Sequence, residues 1–297
     1  MSARRSPQTE RLTDVVDYLG GVPARATLTD VASALGVDKS TLHPMLAELT
    51  ARGWVVRDPR TKAYRLGPAL VRIGRVAQRR SPEFELIAEA VADLSAATGQ
   101  PCCGVVTSGE SMVVAELHGP RVVSAGSDMR PGDHIALQAP LGATLVAWEP
   151  PNVVNRWLIG TVDRSVVGRH RQALAAVRGR RFGVAQYPPG VDRFEEMSGL
   201  VRPRREARGA GVDGSIADVL VGDLDRSAHY RALSVDAPVV GAEARPIGVL
   251  CVLGEVVRSG ADIAELGGFV RAAADSVSRT VAGRGQSSAA NRLSRSG

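Results

Sequence analysis

Among 297 residues there are three cysteines, two lysines and no apolar run reaching the roughly 18 residues that a membrane span requires. The cysteines, Cys102, Cys103 and Cys251, are odd in number and lack metal-ligand spacing, so free thiols in a reducing compartment are expected rather than a disulfide framework or a metal site. In a strand, Cys102 and Cys103 would point to opposite faces. The first ten residues are polar and basic without an apolar h-region, so no signal peptide is predicted and the expected location is the cytoplasm. Enzyme signatures are missing too. No Gly-x-Ser-x-Gly is present, and His43, His118, His134, His170 and His229 are scattered without a ligand pattern. Gly209 to Gly214 matches Gly-x-Gly-x-x-Gly literally. A dinucleotide site needs a strand before that motif and a helix after it, whereas a charged Arg-Pro-Arg-Arg-Glu stretch precedes it here and a strand-like run follows. Glu195 and Glu196 sit in a charged insertion and read as a solvated face. The chain is therefore not expected to be an enzyme, and no cofactor or metal is expected.

What is present is an uneven charge. Hydrophobic residues at 44% and charged residues at 23% are ordinary for a globular chain, which leaves the distribution of charge as the informative feature. Residues 1–80 hold 14 Lys and Arg against 7 Asp and Glu, and residues 81–297 hold 23 against 24. All the excess positive charge thus falls in the first quarter. That pattern suits one small module meeting a polyanion, although an Arg-rich surface also serves solubility.

The apolar spacing of that first quarter predicts three helices. Leu12, Val15, Val16 and Leu19 line one face of Glu10–Leu19, and Gly20-Gly21 with Pro23 end it. Thr27 begins a second helix with Asp30 as its capping-box partner, and Gly36 supplies the left-handed residue after it. A third runs to about Arg52 with Leu42, Met45, Leu46 and Leu49 inward, leaving Ser40, Pro44, Ala47 and Ala51 outward. Two short strands follow, Trp54–Arg57 and Lys62–Leu66, around Asp58-Pro59-Arg60-Thr61. Helix, helix, turn, helix, hairpin is the order of a winged helix. Pro68–Arg80 reads as a basic linker helix. Beyond Pro82 helical and strand periods mix outside strict alternation, which predicts an α+β domain. Its elements are a helix over 83–97, strands over 102–107 and 112–117 with a further short strand at 122–124, and helices over about 139–148 and 164–178. Late strands over 216–221, 232–240 and 246–253 precede a closing helix over 263–281. There is no internal repeat, and the polar tail from Gly285 is predicted to be disordered. The domain limits are 1–67, 68–82 (linker), 83–284 and 285–297 (tail).

Thr27 to Gly67 resembles the DNA-binding region of the IclR (isocitrate lyase regulator) family of bacterial transcription regulators. The likeness spans both helices, the turn and the wing, including Gly53, the Trp54 hairpin and Tyr64-Arg65-Leu66-Gly67. Ile135–Ala147 and Leu233–Leu253 resemble segments of the family's effector domain, while residues 187–227 exceed its usual connection by a few tens of residues. The resemblance implies an N-terminal winged helix-turn-helix and a C-terminal GAF-like or profilin-like α+β domain that binds an effector. It also implies binding of a pseudo-palindromic operator in double-stranded DNA as a homodimer or homotetramer.

On that reading Lys39, Ser40, Thr41 and His43 are the expected base readers, and Arg57, Arg60, Lys62 and Arg65 on the wing, with Arg4 and Arg5 on the arm, the expected phosphate contacts. Many family members carry Arg where this chain has Pro44. With Ser40 or Thr41 as the cap, Pro44 would fall harmlessly in the first turn, whereas a helix starting at Asp38 or Lys39 would put it past that turn; the later start is favoured. The resemblance places Pro140, Leu141, Ser234, Cys251 and Leu253 around the effector. Cys251 and Leu253 stand where relatives often have serines, which predicts an effector with apolar surface. The competing reading is a metabolite-sensing protein-interaction module without specific DNA binding.

Overall fold

The computed structural model describes residues 6–22, 25–109, 111–120, 129–159, 164–187, 219–241, 243–254 and 257–293. The chain divides into two units, Met1–Ser81 and Pro82–Gly297.

In the first unit, α1 (Pro7–Gly21) starts at Ser6, whose hydroxyl accepts the Thr9 N–H, with proline in the first turn. Helix α2 (Leu28–Leu35) opens on the Thr27–Asp30 capping box and closes on Gly36 in the left-handed region. Each feature follows from residue type: a hydroxyl and a carboxylate satisfy N–H groups that a helix start leaves free, and glycine reverses the chain without a Cβ clash. Helix α3 (Lys39–Ala51) then leads into a hairpin of β1 (Val55–Arg57) and β2 (Tyr64–Leu66), paired Val55 to Leu66. Ala26 adds a backbone bridge to Tyr64, tying the α1–α2 connection to the wing. Gly67 permits a close crossing, since a Cβ there would lie 2.2 Å from the Gly53 carbonyl oxygen. Val15, Val31, Leu42, Leu46 and Val55 form the buried centre. Burying each of these side chains is worth about 1.5–3 kcal/mol. Replacing Thr27 with Ala removes the cap of α2 and is expected to cost about 1 kcal/mol, read as a lower thermal midpoint with operator affinity at 20 °C unchanged. Helix α4 (Pro68–Arg80) completes the unit and exposes Val71, Ile73 and Val76.

The second unit is a sheet ordered β5-β4-β3-β8-β7-β6, with β9 on the remaining part of β7. Its strands are β3 (Cys102–Ser108), β4 (Ser111–His118), β5 (His134–Ala136), β6 (Gly183–Gln186), β7 (His229–Val240), β8 (Pro246–Leu253) and β9 (Val257–Ser259). Every ladder is antiparallel. Strand alternation sends Cys102, Val106, Val235, Ala237, Leu250 and Val252 to one face, where α5 (Pro82–Thr98) and α9 (Gly260–Leu293) cover them through Ile87, Val91, Ile263 and Val270. On the opposite face Leu145 of the short α6 (Ala143–Val146) packs on Met112, Val114 and Val249. Helices α7 (Pro151–Leu158) and α8 (Arg164–Arg180) pack with α6 through Val146, Trp157 and Leu174.

Three expectations are corrected, and three short strands are added. The helix expected over 139–148 is only Ala143–Val146, with Gly142 left-handed before it, and a separate α7 starts after Pro150 and Pro151; proline and a left-handed glycine end helical runs. Strands β5, β6 and β9 have three or four residues, too few to show a period. Of the late strand expected over 216–221, residues 216–218 lie outside the described residues, and 219–221 hold a single bridge, Leu220 to Ala185. The closing helix continues to Leu293, beyond Gly285, where the sequence predicted disorder. No proline interrupts that run, and a helix whose inner face is docked on the sheet extends its backbone ladder into weakly helix-forming sequence. The strand expected at 122–124, the Gly-x-Gly-x-x-Gly run, Glu195 and Glu196 lie outside the described residues.

Candidate DNA-reading surface and effector site

Helix α3 turns Leu42, Met45, Leu46 and Leu49 inward and leaves Lys39, Ser40, His43, Pro44, Ala47 and Glu48 exposed, with Thr41 half-buried. Lys39, Ser40 and Thr41 form its first turn. Asp38 precedes them but makes no side-chain cap bond, and no acid lies in the first turn. The positive end of the helix dipole and the Lys39 and Ser40 N–H groups therefore lie at the exposed start of α3, an arrangement suited to an anion.

The start of α3 corrects the favoured expectation. The Thr41 and Leu42 N–H groups both donate to the Asp38 carbonyl, at 3.0 and 3.1 Å, so the helix begins at Lys39 and Pro44 is its sixth residue. Pro44 removes the N–H that the Ser40 carbonyl would accept. Pro44→Ala restores that bond at the cost of a more flexible unfolded chain and is expected to stabilise by about 1 kcal/mol, seen as a higher thermal midpoint.

The wing is held by Asp58. Its carboxylate accepts the Arg60 and Thr61 N–H groups, each at 2.9 Å, and pairs with Arg25. The Thr61 and Arg60 donors, with the Arg25 charge, hold its carboxyl below the usual carboxylate range. Arg57, Arg60, Lys62 and Arg65 are all exposed around this turn. The Arg57 guanidinium lies 5.6 Å from the centre of the Tyr64 ring, which orients it. Lys62 adopts a φ of 59°, a left-handed conformation that costs an L side chain about 1 kcal/mol. Arg4 and Arg5 lie outside the described residues.

In the second unit the ladder brings together most of the residues expected around the effector. Ser234 pairs with Leu253, and Cys251 with Asp236, all on the face toward α6. Pro140 and Leu141 lead into α6, and the Trp157 indole N–H donates to the Leu141 carbonyl at 2.6 Å. Sequence reasoning missed Asp236. Its carboxylate accepts the Thr144 hydroxyl of α6 and, at 3.4 Å, the Ser234 hydroxyl. Burial pushes this carboxyl above the usual range, against the pull of Thr144, Ser234 and the Arg180 charge. The signal available in the sequence was an acid within an otherwise apolar strand.

All three cysteines are free and buried. Burial pushes Cys102 up to about 11, and contact with Cys103 together with burial raises Cys251 well above its usual range. Thiols of this kind are not nucleophiles at neutral pH. Among the described residues there is no group of ligands for a metal and no helix long and apolar enough to cross a membrane.

Comparisons with known proteins agree with this geometry. Residues 8–59 match the family model for the IclR helix-turn-helix domain. The HTH-type transcriptional regulator XynR of Escherichia coli K12 is 28% identical over 51% of this chain, which spans 60% of that relative's length. The glycerol operon regulatory protein of Streptomyces coelicolor is 28% identical over 95% of this chain and 99% of its own. In fold, an IclR homologue from Microbacterium hydrocarbonoxydans complexed with 4-hydroxybenzoate superposes with a TM-score of 0.58 at 15% identity, covering 92% of this chain and 99% of that one. Residues 8–59 thus match the IclR helix-turn-helix domain in sequence, and the chain is similar in fold to an IclR homologue along most of its length.

Proposed function

We propose that this chain is a transcription regulator of the IclR type that binds a pseudo-palindromic operator as a homodimer or homotetramer and responds to a small-molecule effector. The observation that carries the reading is the exposure of the first turn of α3 together with that of the basic side chains of the wing. Lys39, Ser40, Thr41 and His43 read base edges there, and Arg57, Arg60, Lys62 and Arg65 hold phosphates. Operator and effector are coupled because the effector binds the DNA-competent and incompetent arrangements with different affinity. Effector recognition falls to Pro140, Leu141, Ser234, Cys251 and Leu253. The protein works in the cytoplasm, where the chromosome is, and performs no chemistry of its own; the high-pKa thiols support that view.

The test is a salt titration of binding to DNA from upstream of the chain's own gene. The logarithm of affinity is expected to fall linearly with the logarithm of salt, and Arg60→Ala or Arg65→Ala each to lower the slope by about one. A flat salt dependence, or no promoter fragment retarded, would replace this reading with the protein-interaction module. Lys62→Gly separates binding from folding. It relieves the left-handed backbone and removes a phosphate partner, so the thermal midpoint is expected to rise while operator affinity falls.

A further inference from the structure

We infer that Asp236 is the specificity-determining residue of the effector site and selects an uncharged, hydroxyl-bearing small molecule over an anion. The inference rests on the effector reading proposed above and goes beyond it by assigning a residue and a ligand class.

The geometry is a built polar spot in apolar surroundings. Asp236 sits on β7, one strand in from the sheet edge, with Cys251 opposite it on β8 and Gly183 opposite it on β6. The Thr144 hydroxyl of α6 donates to Oδ1, and Gly183 makes room for the pair: a Cβ at 183 would lie 2.3 Å from Thr144 Oγ1 and 2.6 Å from Asp236 Oδ1. Three elements therefore converge on one carboxylate. Ser234 reaches Oδ2 only at 3.4 Å, which leaves that oxygen able to accept a stronger bond. Asp236, Ser234, Leu253 and Leu141 are each incompletely covered, whereas their neighbours Thr144, Cys251 and Val249 are buried. The weakly bonded oxygen thus sits on a partly exposed side chain, with Cys251 opposite it on β8 and Leu253 opposite Ser234 on the same face.

Charge decides the ligand class. An anionic effector would bring a second negative charge against a carboxylate in a low-dielectric setting, where like charges repel strongly. A cation fares little better, because the Arg180 charge already acts on Asp236. Arg180 is itself fixed, its guanidinium donating to the carbonyls of Phe182, Val221 and Gly222 at 2.9, 2.7 and 2.9 Å. A neutral molecule whose hydroxyl donates to Oδ2, and whose carbon skeleton lies on Leu141 and Leu253, satisfies the acceptor and disturbs neither charge. Cys251 and Leu253 together point to the same ligand: little hydrogen bonding outside Asp236, and apolar contact around it.

The experiment compares matched probes by calorimetry and by release of operator DNA, using the full chain. The pairs are glycerol with glycerate, and 4-hydroxybenzamide with 4-hydroxybenzoate, with ethanolamine as the cation. The wild type is expected to respond to a neutral member and to bind its anionic counterpart about tenfold more weakly or worse. Asp236→Asn keeps the shape but removes the charge, and Asp236→Ala removes the acceptor. Both are expected to narrow the neutral-to-anion preference about tenfold, with operator binding in the absence of probe reporting that the fold is intact. The assignment is overturned if an anion or the cation binds the wild type best, or if the preference is unchanged in both variants. A wild type that responds to no probe of any class overturns the effector reading itself, and the assignment with it.

Discussion

Leu46→Ala is expected to lower the thermal midpoint of the DNA-binding unit by about 15 °C and to abolish operator binding at 37 °C while leaving it measurable at 15 °C. Leu46 is fully buried on α3, among Val15, Val31, Leu42 and Val55 from the elements around it. Truncating a leucine in such a centre costs about 3–5 kcal/mol, from lost transfer energy and from the cavity left behind. A unit of some 80 residues has few contacts to spare, and each kcal/mol there moves the midpoint by roughly 4–8 °C. Leu46→Met, which conserves volume, is expected to cost less than about 1.5 kcal/mol and to bind operator normally. The check is circular dichroism melting beside gel retardation at the two temperatures. Normal retardation by Leu46→Ala at 37 °C would mean that the inward face of α3 has been misassigned.

His170→Leu is expected to make the chain more stable than the wild type at pH 7, by an amount that grows as the pH falls toward 5. His170 lies on α8 with 2% of its surface exposed, its ring 5.7 Å from that of Trp157. Neither ring nitrogen has a hydrogen-bond partner among the described residues. Burial, with the neighbouring Arg169 charge, pushes its pKa down to about 4. The unfolded chain therefore binds a proton near pH 6.5 that the folded chain refuses until about pH 4. Stability contributed by this residue begins to fall as the pH drops through 6.5 and is fully lost below 4, a change on the order of 3 kcal/mol, of which about 2 kcal/mol is lost by pH 5. Leucine has similar volume, removes the unsatisfied nitrogens and cannot titrate, so it eliminates both penalties. Asp58 and Asp30, held below the usual carboxylate range, lose their contributions only at still lower pH. Asp236, whose carboxyl is raised, acts in the opposite sense, so the measurement is the difference between variant and wild type at each pH. Denaturant unfolding at pH 7, 6 and 5 reads it. A difference that does not widen toward pH 5 would show that His170 is solvated or hydrogen-bonded in the folded protein.

The first unit was legible because its signals are local. The Thr27–Asp30 capping box, the left-handed Gly36, the leucine stripe of α3 and the proline-containing wing turn each lie within a few residues, the range over which caps, turns and helical periodicity act. The start of α3 was the exception. Local chemistry offered Ser40 or Thr41 as caps, yet the helix begins at Lys39, with the Asp38 carbonyl accepting the Thr41 and Leu42 N–H groups and Pro44 inside the helix.

In the second unit the sequence by itself determined the long strands and the outer helices, since hydrophobic periodicity over seven or more residues requires no knowledge of the rest of the chain. Tertiary structure alone decided the strand order, the short strands β5, β6 and β9, and the meeting of Thr144, Asp236 and Gly183. Those three residues are separated by tens of positions, and only the pairing of β6, β7 and β8 beneath α6 makes them neighbours. Local propensity carries no information about such contacts, because the energy that selects them is the burial of one sheet face by α5 and α9 and of the other by α6.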